Sequence, residues 1–278
     1  METAQKRRVT GLLAEETLSE VLAALGAVGV LVMPMKGVLF QKWLYERASE
    51  RPLTDVDVLV DARSFDAAAE ALVRAGHRAA HAPPSGGQRT FTSRLGFDVD
   101  LHSELFPPGR FRFEARDVLA RATHGAELFG APALIMDPVD AYAHVIGKVA
   151  IDHTDARVPV PLMDLLLLGE RMGLVATEVA ARLREGGLDR AARYVLPMVV
   201  AHGNAQAAAP KGIALASDVL RVLGPDPVGT AAASVARTAV AVFPPRSRST
   251  APFAHLLGPS LLALPGTALR ATRSYRKS

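Results

Sequence analysis

The sequence predicts an α+β fold, with strands and helices in the N-terminal half followed by a helical C-terminal domain. Two segments of the first half, 51–60 and 98–102, alternate aspartates with aliphatic residues, as half-buried strands do. Helical apolar spacing lies between them, and from Asp137 onward the apolar pattern is helical almost throughout. Strands gathered in one half and helices in the other are typical of the α+β class.

The N-terminal elements are defined by apolar spacing and by the residues that start or stop them. Gly26 ends the first predicted helix, while Ser64 and Gly76 are the candidate N-cap and stop of a later one. The predicted elements are, in order, a helix over 15–25, a strand over 28–33, a helix over 38–47, a strand over 51–60, a helix over 64–75, and strands over 76–80, 90–95 and 98–102.

A strong helix start opens the second half of the chain. Asp137 is a candidate N-cap, and Pro138 suits the first turn of a helix. Asp140 places a second acidic side chain near the positive end of the helix dipole. The helices predicted from there cover 139–151, 162–172, 177–185, 189–202 and 212–223. The predicted domains are an α+β unit over 1–136, a helical unit over 137–243, and a basic tail rich in proline and arginine over 244–278.

Composition narrows the class of protein. A chain of 278 residues can bury a sizeable core, and without any cysteine it can form no disulfide, thiolate metal site or cysteine nucleophile. Glu15 and Glu16 break the apolar run that a secretory signal needs, and segment 256–265 is too short and interrupted to span a bilayer. We therefore expect a cytoplasmic protein.

The positive charge of the chain belongs to its C-terminal tail. Seven of the 32 basic residues follow Asp226, the last of the 28 acidic residues, so residues 1–226 carry a net charge of −3. A solvated surface segment is the simplest interpretation of such a tail. The sequence has no basic patch interleaved with aromatic residues, so nucleic acid is an unlikely partner.

The two acidic strands predict a site for a cation and for phosphate. Because side chains alternate along a strand, Asp55 and Asp57 share one face, and Asp98, Asp100 and His102 share a face of the second strand. Carboxylates gathered in one place raise each other's pKa unless a cation lies between them. Mg²⁺ takes hard oxygen ligands and binds carboxylates together with substrate phosphates, so a phosphate-handling enzyme is the first hypothesis.

An ordered set of motifs surrounds these strands. It comprises a Lys-Gly turn at 36–37, Arg51, Asp-x-Asp at 55–57 and Asp-x-His at 100–102. The set resembles the nucleotidyltransferase superfamily, and in particular its branch of uncharacterised nucleotidyltransferases. The resemblance is good over residues 28–105 and only general over the helical remainder. Most of the superfamily has Gly-Ser at the turn, so here phosphate contact would fall to a lysine ammonium and a glycine backbone.

This resemblance implies a nucleotidyltransferase-like catalytic domain, built on a mixed sheet with flanking helices. Such a domain would move a nucleoside monophosphate from an NTP, ATP by default, to a hydroxyl of a small molecule or protein. Asp55, Asp57 and Asp100 would be the catalytic and metal-binding residues and would hold two Mg²⁺ ions, with Mn²⁺ as a possible substitute. Asp100 would also serve as general base. The nucleotide-binding residues implied by the resemblance are Lys36, Gly37 and Arg51.

Other polar residues are secondary candidates for substrate or outer contacts. Asp98 and His102 lie on the strand face of Asp100, although a packed histidine is the commoner role for His102. Arg157 and Asp164 resemble an Arg and an Asp-Leu of the family's first helical segments and would reach over the nucleotide. A salt bridge at a helix end explains this last pair about as well.

His144 and Lys148 lie four residues apart on one predicted helix face. We expect this pair to form part of a solvated stripe. The position therefore adds no candidate to the site.

Two other functions stay open. A nucleotidyltransferase fold that has lost turnover could bind nucleotide and dock a pathway partner, which the absence of Gly-Ser would favour and the complete acidic trio would oppose. A metal-dependent phosphoesterase also uses carboxylates, but such sites commonly recruit several histidines, and only His102 lies near these acids. The acceptor of a transfer reaction is not specified by the sequence.

Overall fold

A computed structural model describes most of the chain. The described residues are 2–47, 50–80, 87–125, 128–152 and 159–225. Arg157 and the predicted tail over 244–278 lie outside these ranges.

The predicted α+β class is confirmed. The described helices are α1 (Glu2–Gly26), α2 (Lys36–Leu44), α3 (Phe65–Arg74), α4 (Ala115–Arg121), α5 (Pro138–Ile151), α6 (Pro159–Arg171), α7 (Ala176–Glu185), α8 (Asp189–Gln206) and α9 (Pro210–Leu223). The described strands are β1 (Met33–Pro34), β2 (Asp55–Leu59), β3 (Arg78–Ala79), β4 (Gln88–Thr92), β5 (Asp98–His102), β6 (Thr123–His124) and β7 (Leu134–Ile135). A short 3₁₀ turn, Ala62–Ser64, precedes α3.

The strand predicted over 28–33 is mostly a turn. The backbone N–H groups of Val28 and Val30 donate to the carbonyl of Leu25, at 3.1 and 3.0 Å, and so close the end of α1. Because these two N–H groups close the end of the helix, only Met33 and Pro34 pair as β1 with β2. The prediction of a longer strand here was wrong because a run of apolar residues does not by itself say which partner its backbone finds.

Five strands form the main sheet in the order β1-β2-β5-β4-β3. The central pair, β2 and β5, is parallel, and the other three pairings are antiparallel. A parallel pair needs a crossover connection, and the chain between β2 and β5 supplies it through α3 and the outer strands. The two strands that carry the aspartates are therefore neighbours at the centre of the sheet.

Strand β2 divides the apolar core into two parts. Val56, Val58 and Val60 enter one cluster with residues of α1 and α3, which we call the N-terminal cluster. Leu59, on the opposite face, joins a second cluster together with Met33 of β1 and the apolar residues of α2 and α5–α9. We call this the shared cluster because it runs across the domain boundary predicted after residue 136. The aspartates of β2 occupy the same face as Leu59.

The helical half begins as the sequence predicts. The side chain of Asp137 accepts hydrogen bonds from the backbone N–H groups of Val139 and Asp140, at 2.9 and 3.2 Å, and caps α5. Helices α6 and α9 cross so closely that a Cβ atom on Gly212 would overlap the backbone of Leu166. Among the described helices, none is both long and apolar enough to cross a bilayer.

Candidate functional site

The register of the central strands assembles the predicted acids on one face of the sheet. Asp57 lies directly beside Asp100, and Asp55 lies beside Asp98. In the next position along the same face, His102 is paired with Leu59. Paired residues of neighbouring strands point to the same side of a sheet, so the face carries four carboxylates in two rows and then one imidazole.

Strand β4 completes these rows with hydroxyl groups. Thr90 is the cross-strand partner of Asp100 and Thr92 is that of Asp98. The hydroxyl of Thr90 donates to Oδ1 of Asp100 at 2.6 Å, and the hydroxyl of Thr92 donates to Oδ1 of Asp98 at 3.1 Å. These hydrogen bonds from β4 therefore restrict the rotamers of Asp98 and Asp100.

Three of the site residues converge. Potential ligand atoms of Asp57, Asp100 and His102, one from each, all lie within 4.8 Å of one another. Asp57 and His102 are buried and Asp100 is half-buried. The sequence predicted a trio that contains Asp55; this carboxylate lies outside the converging group, where Thr54 donates to its Oδ1 at 3.1 Å.

Lys36 reaches the same group of side chains from the Lys-Gly turn, which follows β1 and begins α2. The backbone N–H of Met35 donates to the carbonyl of Asp57 at 2.9 Å and holds this turn against β2. The Lys36 ammonium then lies 2.7 Å from Oδ1 of Asp57. Lys36 has a φ of 43°, a left-handed conformation that is uncommon for a residue with a side chain and that clusters at functional sites.

Oδ1 of Asp57 has a second partner in His102. The imidazole Nε2 lies 2.9 Å from this oxygen. Burial alone would raise the pKa of Asp57, but the Lys36 ammonium and the His102 hydrogen bond outweigh it and hold the pKa below its usual range. An ionised carboxylate can only accept, so both Lys36 and His102 donate to the same oxygen.

The charges of the site also act on its other members. Burial would lower the pKa of Lys36, but Asp57 outweighs this effect and raises it, which keeps the ammonium charged. The pKa of Asp55 is raised, first by burial and then by the negative charge of Asp57. Like charges thus crowd this face even with Lys36 present, which is the situation that a bound divalent cation relieves.

Arg51 is engaged at a different carboxylate. Its guanidinium contacts Asp164 of α6 in a bidentate arrangement, with Nε–Oδ1 at 3.0 Å and Nη2–Oδ2 at 2.8 Å. The hydroxyl of Tyr45 also donates to Oδ1 of Asp164, at 2.8 Å. Burial alone would lower the pKa of Arg51, but Asp164 raises it. We call this group of three the clamp, because it joins the chain before β2 to the helical half.

Gly37 has a steric reason to be glycine. A Cβ atom at this position would lie 2.9 Å from Cδ2 of Leu53 and 3.2 Å from Nη1 of Arg51. The Lys-Gly turn therefore packs directly against the clamp. Lys36, Gly37 and Arg51 are therefore close neighbours in space. Among these three residues, the described hydrogen bonds to the converging acids come only from Lys36.

His144 is not part of a solvated stripe, and that prediction was wrong. The residue is only 1% exposed and its ring packs on Phe106, with centroids 5.3 Å apart. Its Nε2 has no hydrogen-bond partner among the described residues. Burial, followed by the charges of Lys36 and Lys148, lowers the pKa of His144 well below its usual range. Lys148 does lie at the surface, where it pairs with Asp152 at 3.0 Å.

A cavity of about 420 Å³ lies beyond the ends of β2 and β5. Its lining includes Ser103 and Glu104, which follow His102 directly, and Phe106, on which His144 packs. None of the converging acids lines it. The cavity is therefore adjacent to the site but separate from it.

The chemistry of the donor set suits a divalent cation. Carboxylate oxygens are the ligands that Mg²⁺ and Mn²⁺ prefer, and imidazole is a common ligand of other divalent transition metals. Asp57 and Asp100 each use one oxygen in the hydrogen bonds described above, and no described hydrogen bond uses Oδ2 of either residue. Two carboxylates that are each oriented by a hydrogen bond and keep one oxygen outside the described hydrogen bonds could hold a metal ion.

Sequence reasoning missed three residues that contact the candidate site or its surroundings: Thr90, Tyr45 and His144. Thr90 did carry a signal, since it alternates with Thr92 in a predicted strand beside the acidic one. Tyr45 and His144 carried none, because their partners are far away in the sequence.

Comparison with known families adds a finding that is independent of this geometry. A family model described as uncharacterised nucleotidyltransferase matches residues 2–203. The match includes the whole acidic face, the Lys-Gly turn and both members of the Arg51–Asp164 pair. No curated protein matches the chain.

Proposed function

Since the chain belongs to the uncharacterised nucleotidyltransferase family, we propose that it transfers a nucleoside monophosphate from an NTP to a hydroxyl acceptor in a Mg²⁺-dependent reaction. ATP is the default donor, and the acceptor is a small molecule or a protein. One observation carries the proposal: Asp57, Asp100 and His102 converge within 4.8 Å beside a lysine ammonium. The family membership and this convergence support a transferase more strongly than a phosphoesterase.

The reaction is an in-line displacement at the α-phosphorus. The acceptor oxygen forms a bond to this phosphorus as the bond to the leaving pyrophosphate breaks, and the acceptor proton passes to a base. Bound Mg²⁺, as two ions or with Mn²⁺ in its place, would stabilise the attacking and leaving oxygens. The tasks left to the protein are to hold these groups, to accept the proton and to neutralise the triphosphate.

The acids take distinct roles in this proposal. Asp57 and Asp100 are the principal metal-binding residues, and Asp55 supplies a further carboxylate at the edge of the site. Asp100 is the candidate general base, with Thr90 fixing one oxygen so that the other faces the site. His102 orients Asp57 through its hydrogen bond.

The Lys-Gly turn is the proposed phosphate contact. The Lys36 ammonium supplies a point charge, and the backbone N–H of Gly37, in the first turn of α2, is the second proposed contact. Arg51 contributes its charge and supports the turn while it stays paired with Asp164. Asp98 is the proposed outer contact on the acidic face, and Asp164 acts on the site only through Arg51.

The direct test is incubation of the full chain with each α-labelled NTP and Mg²⁺, in the presence of candidate acceptors or a metabolite extract. Transfer of label by the wild type and not by Asp57→Ala or Asp100→Ala supports the proposal. An absence of NTP binding in the presence of Mg²⁺ contradicts it. Normal NTP binding without transfer to any of a broad panel of acceptors would instead favour a non-catalytic nucleotide-binding module.

A further inference from the structure

We infer that Lys36 is a resident counter-ion of the acidic site, which the first divalent cation displaces from Asp57, and that the freed ammonium then contacts the triphosphate. The second step rests on the proposed function. The first depends only on a cation binding at the converging acids.

The inference starts from the partners of a single oxygen. Oδ1 of Asp57 accepts from the Lys36 ammonium at 2.7 Å and from His102 Nε2 at 2.9 Å. A divalent cation held by Asp57 and Asp100 would therefore lie beside a positive charge that already uses the same carboxylate. Like charges at this separation repel, and burial weakens the screening that water would provide. This repulsion favours the departure of one of the two cations from Asp57.

Of the two donors, Lys36 is the one that can move. Its charge lies at the end of a flexible four-carbon stem, and its side chain is 22% exposed against 7% for Asp57. The backbone of the turn stays in place, since the Met35 N–H is bonded to the Asp57 carbonyl. His102 is a rigid ring in a buried position, so it keeps its contact while the ammonium swings outward.

The displaced ammonium has a new partner in the proposed reaction. The acids of the site carry three formal negative charges at Asp55, Asp57 and Asp100, which one lysine only partly neutralises. After a divalent cation takes over that task, the Lys36 charge becomes available for an anion at the same edge of the sheet. Binding of the metal and of the triphosphate should therefore be mutually reinforcing.

Lysine labelling tests the displacement directly on the wild-type chain. An amine-reactive reagent is applied with and without Mg²⁺, and the modification of Lys36 is followed by peptide mass spectrometry. Lys42 is the internal reference, because it lies on the same helix and pairs with Glu15 rather than with the site. We expect Mg²⁺ to raise the labelling rate of Lys36 at least about fivefold, a typical coupling, and to leave Lys42 unchanged. An unchanged or reduced rate at Lys36 overturns the inference.

Metal affinity gives a second readout that needs no nucleotide. Mn²⁺ binding to the wild type, Lys36→Met and Lys42→Met is measured by electron paramagnetic resonance. Lys36→Met should bind Mn²⁺ at least about fivefold more tightly than the wild type, and Lys42→Met should match the wild type. Equal or weaker binding by Lys36→Met contradicts displacement, as does an absence of Mn²⁺ binding by all three proteins.

The two proposals fail in different ways. If Mg²⁺ exposes Lys36 but no NTP protects it again from the reagent, the displacement stands and the proposed nucleotidyl transfer does not. If NTP and metal bind normally while Lys36 labelling ignores Mg²⁺, the transfer reaction stands and the counter-ion role of Lys36 is wrong.

Discussion

Asp57 and Asp164 are both buried carboxylates beside a cation, yet they are held in different ways. Asp57 has two donors on Oδ1 and none among the described hydrogen bonds on Oδ2. Asp164 uses both oxygens, with Arg51 across the pair and Tyr45 on Oδ1. The partner of Asp57 is a flexible lysine, and that of Asp164 is a planar guanidinium.

Because of this difference, we expect Asp57 to be able to exchange its partner for a ligand and Asp164 to stabilise the fold. A saturated bidentate pair has no oxygen left for a ligand and loses much if either member is removed. A carboxylate with a spare oxygen and a movable partner can take a cation. We therefore expect the clamp to contribute to stability and the acidic face to cation binding.

The largest effect should come from breaking the clamp. Asp164→Ala leaves the Arg51 guanidinium buried without its partner, so the free energy of unfolding should fall by about 3–5 kcal/mol. Urea denaturation measures this change. The double variant Arg51→Met/Asp164→Leu removes both charges and should recover most of the loss. A loss below about 1 kcal/mol in the single variant would show that the clamp is not a stabilising element.

In contrast to Asp164→Ala, Asp57→Asn should change Mn²⁺ affinity strongly and the free energy of unfolding only slightly. Loss of a metal-binding carboxylate should weaken Mn²⁺ binding at least roughly a hundredfold, beyond the effect of losing an outer contact. Stability should change by only about 1 kcal/mol, because the unpaired Lys36 can reach water. Titration calorimetry and urea denaturation measure the two quantities. A variant that binds Mn²⁺ normally but unfolds easily would place Asp57 with the clamp.

Thr90→Val should have an intermediate effect that is confined to the acidic face. Without the hydroxyl that fixes Asp100, Mn²⁺ affinity should fall about tenfold, and Thr90→Ser should restore it. Thr92→Val is the matched control, since its hydroxyl bonds to Asp98 outside the converging group. Equal losses in the Thr90 and Thr92 variants would mean that the whole strand, and not the orientation of Asp100, is responsible.

The smallest effect concerns pH and the buried His144. Its pKa is lowered in the folded chain, so below the ordinary histidine pKa of about 6.5 the unfolded chain binds a proton that the folded chain does not. Stability should therefore fall with decreasing pH, by at most about 1.4 kcal/mol per pH unit for this proton. His144→Leu should reduce the slope between pH 7 and 5.5. Part of the slope should persist, since burial also lowers the pKa of His77. An identical slope in the variant would contradict the assignment.

The sequence was sufficient for the local part of the site. Alternation identified both acidic strands, and the structure has them at Asp55–Leu59 and Asp98–His102. The Asp137 cap and the spacing after it located the helical half within a few residues. These features depend on residues that are close together in the sequence, so they could be predicted from the sequence alone.

The partners of the predicted residues could not be read in the same way. Arg51 was expected at the triphosphate, but its observed contact is Asp164, 113 residues away. The converging group contains His102 where Asp55 was expected, because convergence depends on strand register and rotamers rather than on spacing alone. His144 was assigned to the surface because a period of four residues does not say which side of a helix the rest of the protein covers.

The shared cluster has a consequence for how the molecule is made. Met35 and Leu39, which flank the Lys-Gly turn, are packed among residues that reach as far as Leu223. While the chain emerges from the ribosome, the acidic strands are synthesised long before the helices that cover this turn. The N-terminal cluster can condense early, but the turn that carries Lys36 acquires its final surroundings only after the helices up to α9 have been synthesised. The candidate cation site is therefore completed later than the sheet that carries its acids.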